Sequence, residues 1–257
     1  MRSFWLGLAV FFQAVTASAA VVGETIEYKQ GDASLEGYVA YDDANQDKRP
    51  AVIVVHEWKG LGDYAKGRAN QLAELGYVAF AADIYGKGVR PQSHEEAGKT
   101  AGMYKNDRVL MRARIQAALD VVKEHPLVDP TKVAAIGYCF GGTTVLELAR
   151  SGADVKGVVS FHGSLATPNP ADAKNIKGKV LVEHGAADNF VNPEVEGFKK
   201  EMTDAGVDMR FESYEGAVHS FTVKDAGSDP SKGMAYNEDA DKKSWESMKN
   251  FLKEIFA

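Results

Sequence analysis

Ala51-Val52-Ile53-Val54-Val55 is an unbroken apolar run in which four of five residues are β-branched. A run this short has no polar face to offer water, so it reads as a strand buried on both sides. Such a strand needs helices above and below its sheet, which confines the chain to a mostly parallel α/β architecture. The rest of the chain repeats the signal. Tyr77–Ala82, Lys132–Gly137, Gly157–Phe161, Val180–Glu183 and Met209–Tyr214 read as further strands. Tyr64–Leu75, Val109–Val122, Gly141–Arg150 and Val195–Ala205 carry helical spacing between them. Glu24–Gln30 and Leu35–Tyr41 flank Gly31-Asp32 as a hairpin-like start. Asp239–Phe256 is a terminal helix whose Trp245, Met248, Phe251, Leu252 and Ile255 are spaced to cover the sheet. The segments 86–105 and 223–234 read as loops at a pocket mouth.

Composition narrows the function classes. The net charge is −6, from 30 basic and 36 acidic residues, which argues against a nucleic-acid binder. One cysteine excludes an internal disulfide and a thiolate zinc cage. No ligand spacing for a metal occurs, and no cofactor is expected. Arg2, the apolar run from Phe4 to Phe12 and the small residues Ala17-Ser18-Ala19 describe a secretory signal peptide over 1–19. Residues 20–257 are then expected to form one exported domain, monomeric and free of the membrane.

Gly137-Tyr138-Cys139-Phe140-Gly141 is a G-x-nucleophile-x-G pattern with cysteine in the serine place, where a strand ends and a helix begins. The glycines relieve crowding at a sharp turn, and the helix N-terminus favours negative charge on the sulfur. Asp188 follows the strand Val180–Glu183, and His219 follows the last strand. Nucleophile, acid, histidine is the chain order of α/β hydrolases. In that arrangement the histidine moves the thiol proton and the aspartate steers the ring. The loop His56-Glu57-Trp58 after the first buried strand is positioned to supply one oxyanion-hole N–H from Trp58, with Phe140 supplying the second. Of the other histidines, His162 and His184 read as structural, and His94 and His125 as solvent-facing.

Gly137–Gly142, Asp188, His219-Ser220-Phe221, the His56-Glu57 loop, Asp83-Ile84-Tyr85 and the terminal Tyr236-Asn237…Ala240…Trp245 pattern together resemble the dienelactone hydrolase family, from about Leu35 to Phe256. The resemblance implies an α/β-hydrolase fold, a Cys-His-Asp hydrolase and a small ester or lactone as partner. It implies that Glu57 pairs with the cysteine in the resting enzyme, and that Tyr85, Lys87 and Ser220 meet the substrate. The family holds a substrate carboxylate with arginines. Here Lys87, with Arg90 close by, stands near one of those places and Val223 at the other, and lysine lacks the two-pronged guanidinium fork. A broad carboxylesterase and a non-catalytic binding protein of the same fold are the alternatives.

Overall fold

The computed structural model describes residues 21–257, so the expected leader over 1–19 lies outside the described residues. Eight strands form one sheet. In chain order they are β1 (Val21–Gln30), β2 (Ala33–Asp42), β3 (Arg49–Val55), β4 (Val78–Ala82), β5 (Val128–Tyr138), β6 (Gly157–Phe161), β7 (Lys179–Gly185) and β8 (Met209–Tyr214). Their spatial order is β1-β2-β4-β3-β5-β6-β7-β8. β1 and β2 form the expected antiparallel hairpin, and β2 meets β4 antiparallel. From β4 to β8 every pairing is parallel.

The run in β3 behaves as its composition demands. Ala51, Ile53 and Val55 pack into the core on one face, and Val52 and Val54 into the core on the other. Each fully buried Val or Ile contributes about 1.5–3 kcal/mol relative to exposure. Helices α1 (Asp63–Glu74) and α6 (Glu238–Phe256) cover the second face. Helices α2 (His94–Asn106), α3 (Arg108–Glu124), α4 (Phe140–Arg150) and α5 (Val195–Asp204) pack against the first.

Helix α2 corrects the expectation of a loop over 86–105. It opens on a capping box: Ser93 Oγ accepts from the Glu96 N–H at 3.1 Å, and the Glu96 carboxylate accepts from the Ser93 N–H at 3.4 Å. Only Ala97, Ala101 and Tyr104 are buried along it, so its apolar stripe is too thin to stand out as a period. His125 is also not solvent-facing. It ends α3 half-buried, with its ring against Tyr41 at 5.3 Å.

After β3 the chain crosses to β4 on one side, and it later returns to β5 on the other. The crossover direction therefore reverses between β3 and β5. Loops leaving the carboxyl ends of these two strands diverge and open a crevice. His56-Glu57-Trp58 leaves β3 there, and Cys139 leaves β5.

Candidate active site

Cys139 bridges β5 and α4 with φ 53° and ψ −112°, a backbone that side-chain-bearing residues rarely adopt. The surrounding glycines are obligatory. A Cβ on Gly137 would lie 2.1 Å from the Gly141 carbonyl oxygen, and one on Gly141 would lie 2.3 Å from that of Val55. The sulfur is partly exposed and lines a cavity of about 380 Å³.

The structure brings His219 and Asp188 to that sulfur. His219 Nε2 lies 3.2 Å from Cys139 Sγ, and His219 Nδ1 lies 2.8 Å from Asp188 Oδ2. The carboxylate keeps the ring proton on Nδ1, which turns Nε2 toward the sulfur. Asp188 is fully buried, and its other oxygen accepts from the N–H groups of Phe190 and Val191 at 3.0 and 3.2 Å. One carboxylate thus shapes its own loop and steers the ring. Burial alone would lower the His219 pKa, but the charges and hydrogen bonds of Cys139 and Asp188 outweigh it and lift it to about 10.

Two backbone N–H groups next to this site are left open. Among the described residues neither the Trp58 nor the Phe140 N–H has a hydrogen-bond acceptor. His56 explains how the first is held. Its Nε2 accepts from the Ile84 N–H at 3.2 Å, so its proton sits on Nδ1 and is donated to the Glu57 carbonyl at 2.6 Å. Carbonyl and N–H point in opposite directions across a trans peptide, so anchoring the Glu57 carbonyl aims the Trp58 N–H. Burial pushes the His56 pKa down to about 4, which keeps this tautomer neutral.

The remaining expected residues fall unevenly. Ser220 borders the cavity, with φ 59°. Tyr85 is buried behind it and donates its hydroxyl to the Trp58 carbonyl at 3.0 Å, so it braces the loop rather than lining the cavity. Lys87 does not reach the cavity. Its N–H is tied to the Ser34 carbonyl and its ammonium is paired with Glu27 on the sheet edge. Arg90 is spent on the carbonyls of Leu61 and Val89 and lies 3.9 Å from the buried Asp83. Glu57 corrects another expectation: the sulfur is bonded to His219, not to it. An imidazolium attracts a thiolate where a carboxylate would repel it. The Glu57 carboxyl lines a neighbouring cavity of about 350 Å³ that shares Trp58, Ser220 and Met234 with the first. Val223, Asp225, Lys232 and Met234 wall that second cavity, as the pocket-mouth reading of segment 223–234 anticipates. Burial pushes the Glu57 pKa up to about 7 against the lowering pull of His219 and Lys59.

Two residues escaped the reading of the chain. Lys105, near the end of α2, lines the Cys139 cavity, and among the described residues no carboxylate lies within ion-pair distance of it. Its signal was hidden because α2 itself was not seen. His162 touches the nucleophile segment, and the signal was its place at the carboxyl end of β6, beside β5. A larger groove of about 540 Å³ between α1 and α6 contains neither Cys139 nor His219, so the smaller cavity is the chemically equipped one. Among the described residues no three His, Cys, Asp or Glu side chains gather to hold a metal.

Comparison with known proteins shows the family and the fold. The model of the dienelactone hydrolase family matches residues 35–256. A protein of Aquifex aeolicus provisionally named carboxymethylenebutenolidase is 31% identical over 238 residues, covering 90% of this chain and 98% of the relative. The solved structure of a dienelactone hydrolase-like promiscuous phosphotriesterase from metagenomic libraries is 40% identical, with TM-score 0.88 over 93% of this chain and 100% of that one. A Klebsiella pneumoniae structure provisionally named dienelactone hydrolase, at 21% identity and TM-score 0.79 over 91% of this chain and 99% of that one, shares the fold.

Proposed function

The chain belongs to the dienelactone hydrolase family, whose members act on esters or lactones, and on that premise we propose that it cleaves a small ester or lactone through an acyl-Cys139 intermediate. The observation that carries the mechanism is the unbroken relay Cys139 Sγ–His219–Asp188, at 3.2 and 2.8 Å. Sγ attacks the carbonyl carbon. The Trp58 and Phe140 N–H groups receive the developing oxyanion, and each such donor contributes about 3 kcal/mol in comparable sites. With its pKa near 10, the His219 imidazole carries its proton at neutral pH and hands it to the leaving oxygen. Water then gives a proton to the freed Nε2 and attacks the thioester, which releases the acid and restores the thiolate–imidazolium pair.

The proposal extends to the substrate. Phe190, Val191, Met234 and Trp58 give the cavity an apolar wall, and Lys105 is the cation available to a substrate carboxylate there. An acid-bearing lactone would meet Lys105 while the Glu194 carboxylate of the same cavity is held by Ser164 Oγ and the Leu165 and Ala166 N–H groups. Turnover of p-nitrophenyl acetate by the wild type, absent in Cys139→Ala, tests the nucleophile. Equal turnover by both would remove the mechanism and favour a binding protein. The 40% identity to a promiscuous phosphotriesterase supports a second activity at the same sulfur. Hydrolysis of diethyl p-nitrophenyl phosphate, lost with Cys139, is its test. The leader over 1–19 supports export, which cell fractionation with N-terminal sequencing of the mature protein checks.

A further inference from the structure

Among the described residues three non-glycine positions have a positive φ: Cys139 at 53°, His162 at 40° and Ser220 at 59°. Each such position is strained and persists only where its surroundings enforce it. The His162 ring links the first of them to the segment that carries the third. The Cys139 N–H donates to the Phe161 carbonyl at 3.0 Å and to His162 Nδ1 at 3.2 Å. His162 Nε2 lies 2.8 Å from Thr222 Oγ1, two residues beyond Ser220 and three beyond His219. The ring also stands edge-on to His219, with centroids 5.4 Å apart.

We propose that His162 is a positioning residue for the nucleophile, holding the Cys139 amide in its strained turn while bracing the His219 ring. The proposal rests on the reading of Cys139 as nucleophile. The ring's protonation pattern follows from its partners. Nδ1 faces an N–H and must accept, so the proton sits on Nε2 and is donated to Thr222 Oγ1. That hydroxyl lies 2.7 Å from the Tyr64 hydroxyl, which also accepts from Arg68 Nε at 3.3 Å. The ring is therefore anchored to α1 on its far side. A proton on Nδ1 would set donor against donor and leave the Cys139 amide to the Phe161 carbonyl alone. Burial first, and the cationic His219 and Arg68 second, hold the His162 pKa well below the ordinary range and guard against that. A histidine that merely filled space would not need both nitrogens engaged by the two segments that carry the reacting groups.

Three variants test the assignment. His162→Phe keeps a ring and loses both nitrogens. His162→Asn keeps an acceptor near the Nδ1 place. Thr222→Val leaves the ring intact and removes its anchor. With p-nitrophenyl acetate, His162→Phe is expected to lose about 100-fold in kcat with KM changed less than about threefold, the cost of a small misplacement of a reacting group. Asn should recover about tenfold of that, and Thr222→Val should lose about tenfold. Alkylation of Cys139 by iodoacetamide provides a readout independent of turnover. A tipped His219 attracts the sulfur's charge less, so the acidic limb of the rate profile should move up by about one pH unit in His162→Phe and in the same direction in Thr222→Val. Wild-type kcat in both variants, or a kcat loss that follows thermal unfolding while the alkylation profile of a well-folded Thr222→Val stays put, overturns the proposal. If the wild type itself turns over no ester, the hydrolase reading fails, and the alkylation profile still decides the role of His162.

Discussion

Helix α4 begins and ends in opposite ways. At its amino end Cys139 is strained, and among the described residues the Trp58 and Phe140 N–H groups have no acceptor, the Glu57 carboxyl has no hydrogen-bond partner and Lys105 lacks a counter-ion. At its carboxyl end Arg150 is fully buried and saturated. It binds Glu201 through Nε and Nη2 at 2.8 and 2.9 Å, Glu147 at 3.1 Å and the Leu165 carbonyl at 2.8 Å. Arg112 closes the network on Glu147 and Asp172, both at 2.7 Å. Buried polar groups that hold a fold together are paired within it. Groups left open at the rim of a cavity are available to a molecule that enters it. The contrast separates anchor from site without reference to any relative.

The largest expected effect lies at the open end. His219→Ala should cost about 10⁴-fold in kcat on p-nitrophenyl acetate while the protein stays folded by circular dichroism. A loss below about tenfold would mean that the relay is ornamental. At the saturated end, Glu201→Ala removes two of the hydrogen bonds of the buried Arg150 guanidinium and should lower unfolding stability by about 3 kcal/mol, with kcat per folded molecule unchanged. A large kcat loss there without destabilisation would blur the two ends.

Glu57 sharpens the comparison through pH. Burial raises its folded pKa to about 7, above the ordinary 4.5, so the folded state favours the neutral acid. The stability attached to that group is complete below 4.5 and disappears as pH rises through about 7. Glu57→Gln should therefore match the wild type near pH 4.5 and be more stable above neutrality, by up to about 3 kcal/mol. Denaturant titrations at acidic and alkaline pH measure the difference, and a pH-independent gap would contradict the buried-acid description. The smallest effect is expected at Lys105. Lys105→Met should raise KM for a carboxylate-bearing lactone by about five- to tenfold, the worth of about 1 kcal/mol, and leave a neutral lactone unaffected. Equal changes for both substrates would remove the ion-pair role.

What could be read from the chain followed the strength of local signals. β3 and the elbow were legible because their requirements are local: an apolar run with no face for water, and glycines where a Cβ would strike backbone. Asp188 and His219 were legible because a parallel sheet sends successive strand ends to one edge. Lys87 misled because nearness in sequence to Asp83-Ile84-Tyr85 says nothing about direction. After Gly86, at φ 127°, the lysine runs outward to Glu27. Helix α2 was missed because small residues line its buried face, and Lys105 was lost with it. His162 was set aside as structural because its importance depends on a hydrogen bond from residue 139, 23 positions away, that no spacing rule encodes.

Intact-protein mass spectrometry of the enzyme quenched during turnover of p-nitrophenyl acetate tests the account at its centre. The result predicted is one acetyl group on the peptide containing Cys139, released by hydroxylamine and absent from Cys139→Ala. An acetyl group on Ser220 or elsewhere, or undiminished turnover by Cys139→Ala with no acyl adduct, would contradict it.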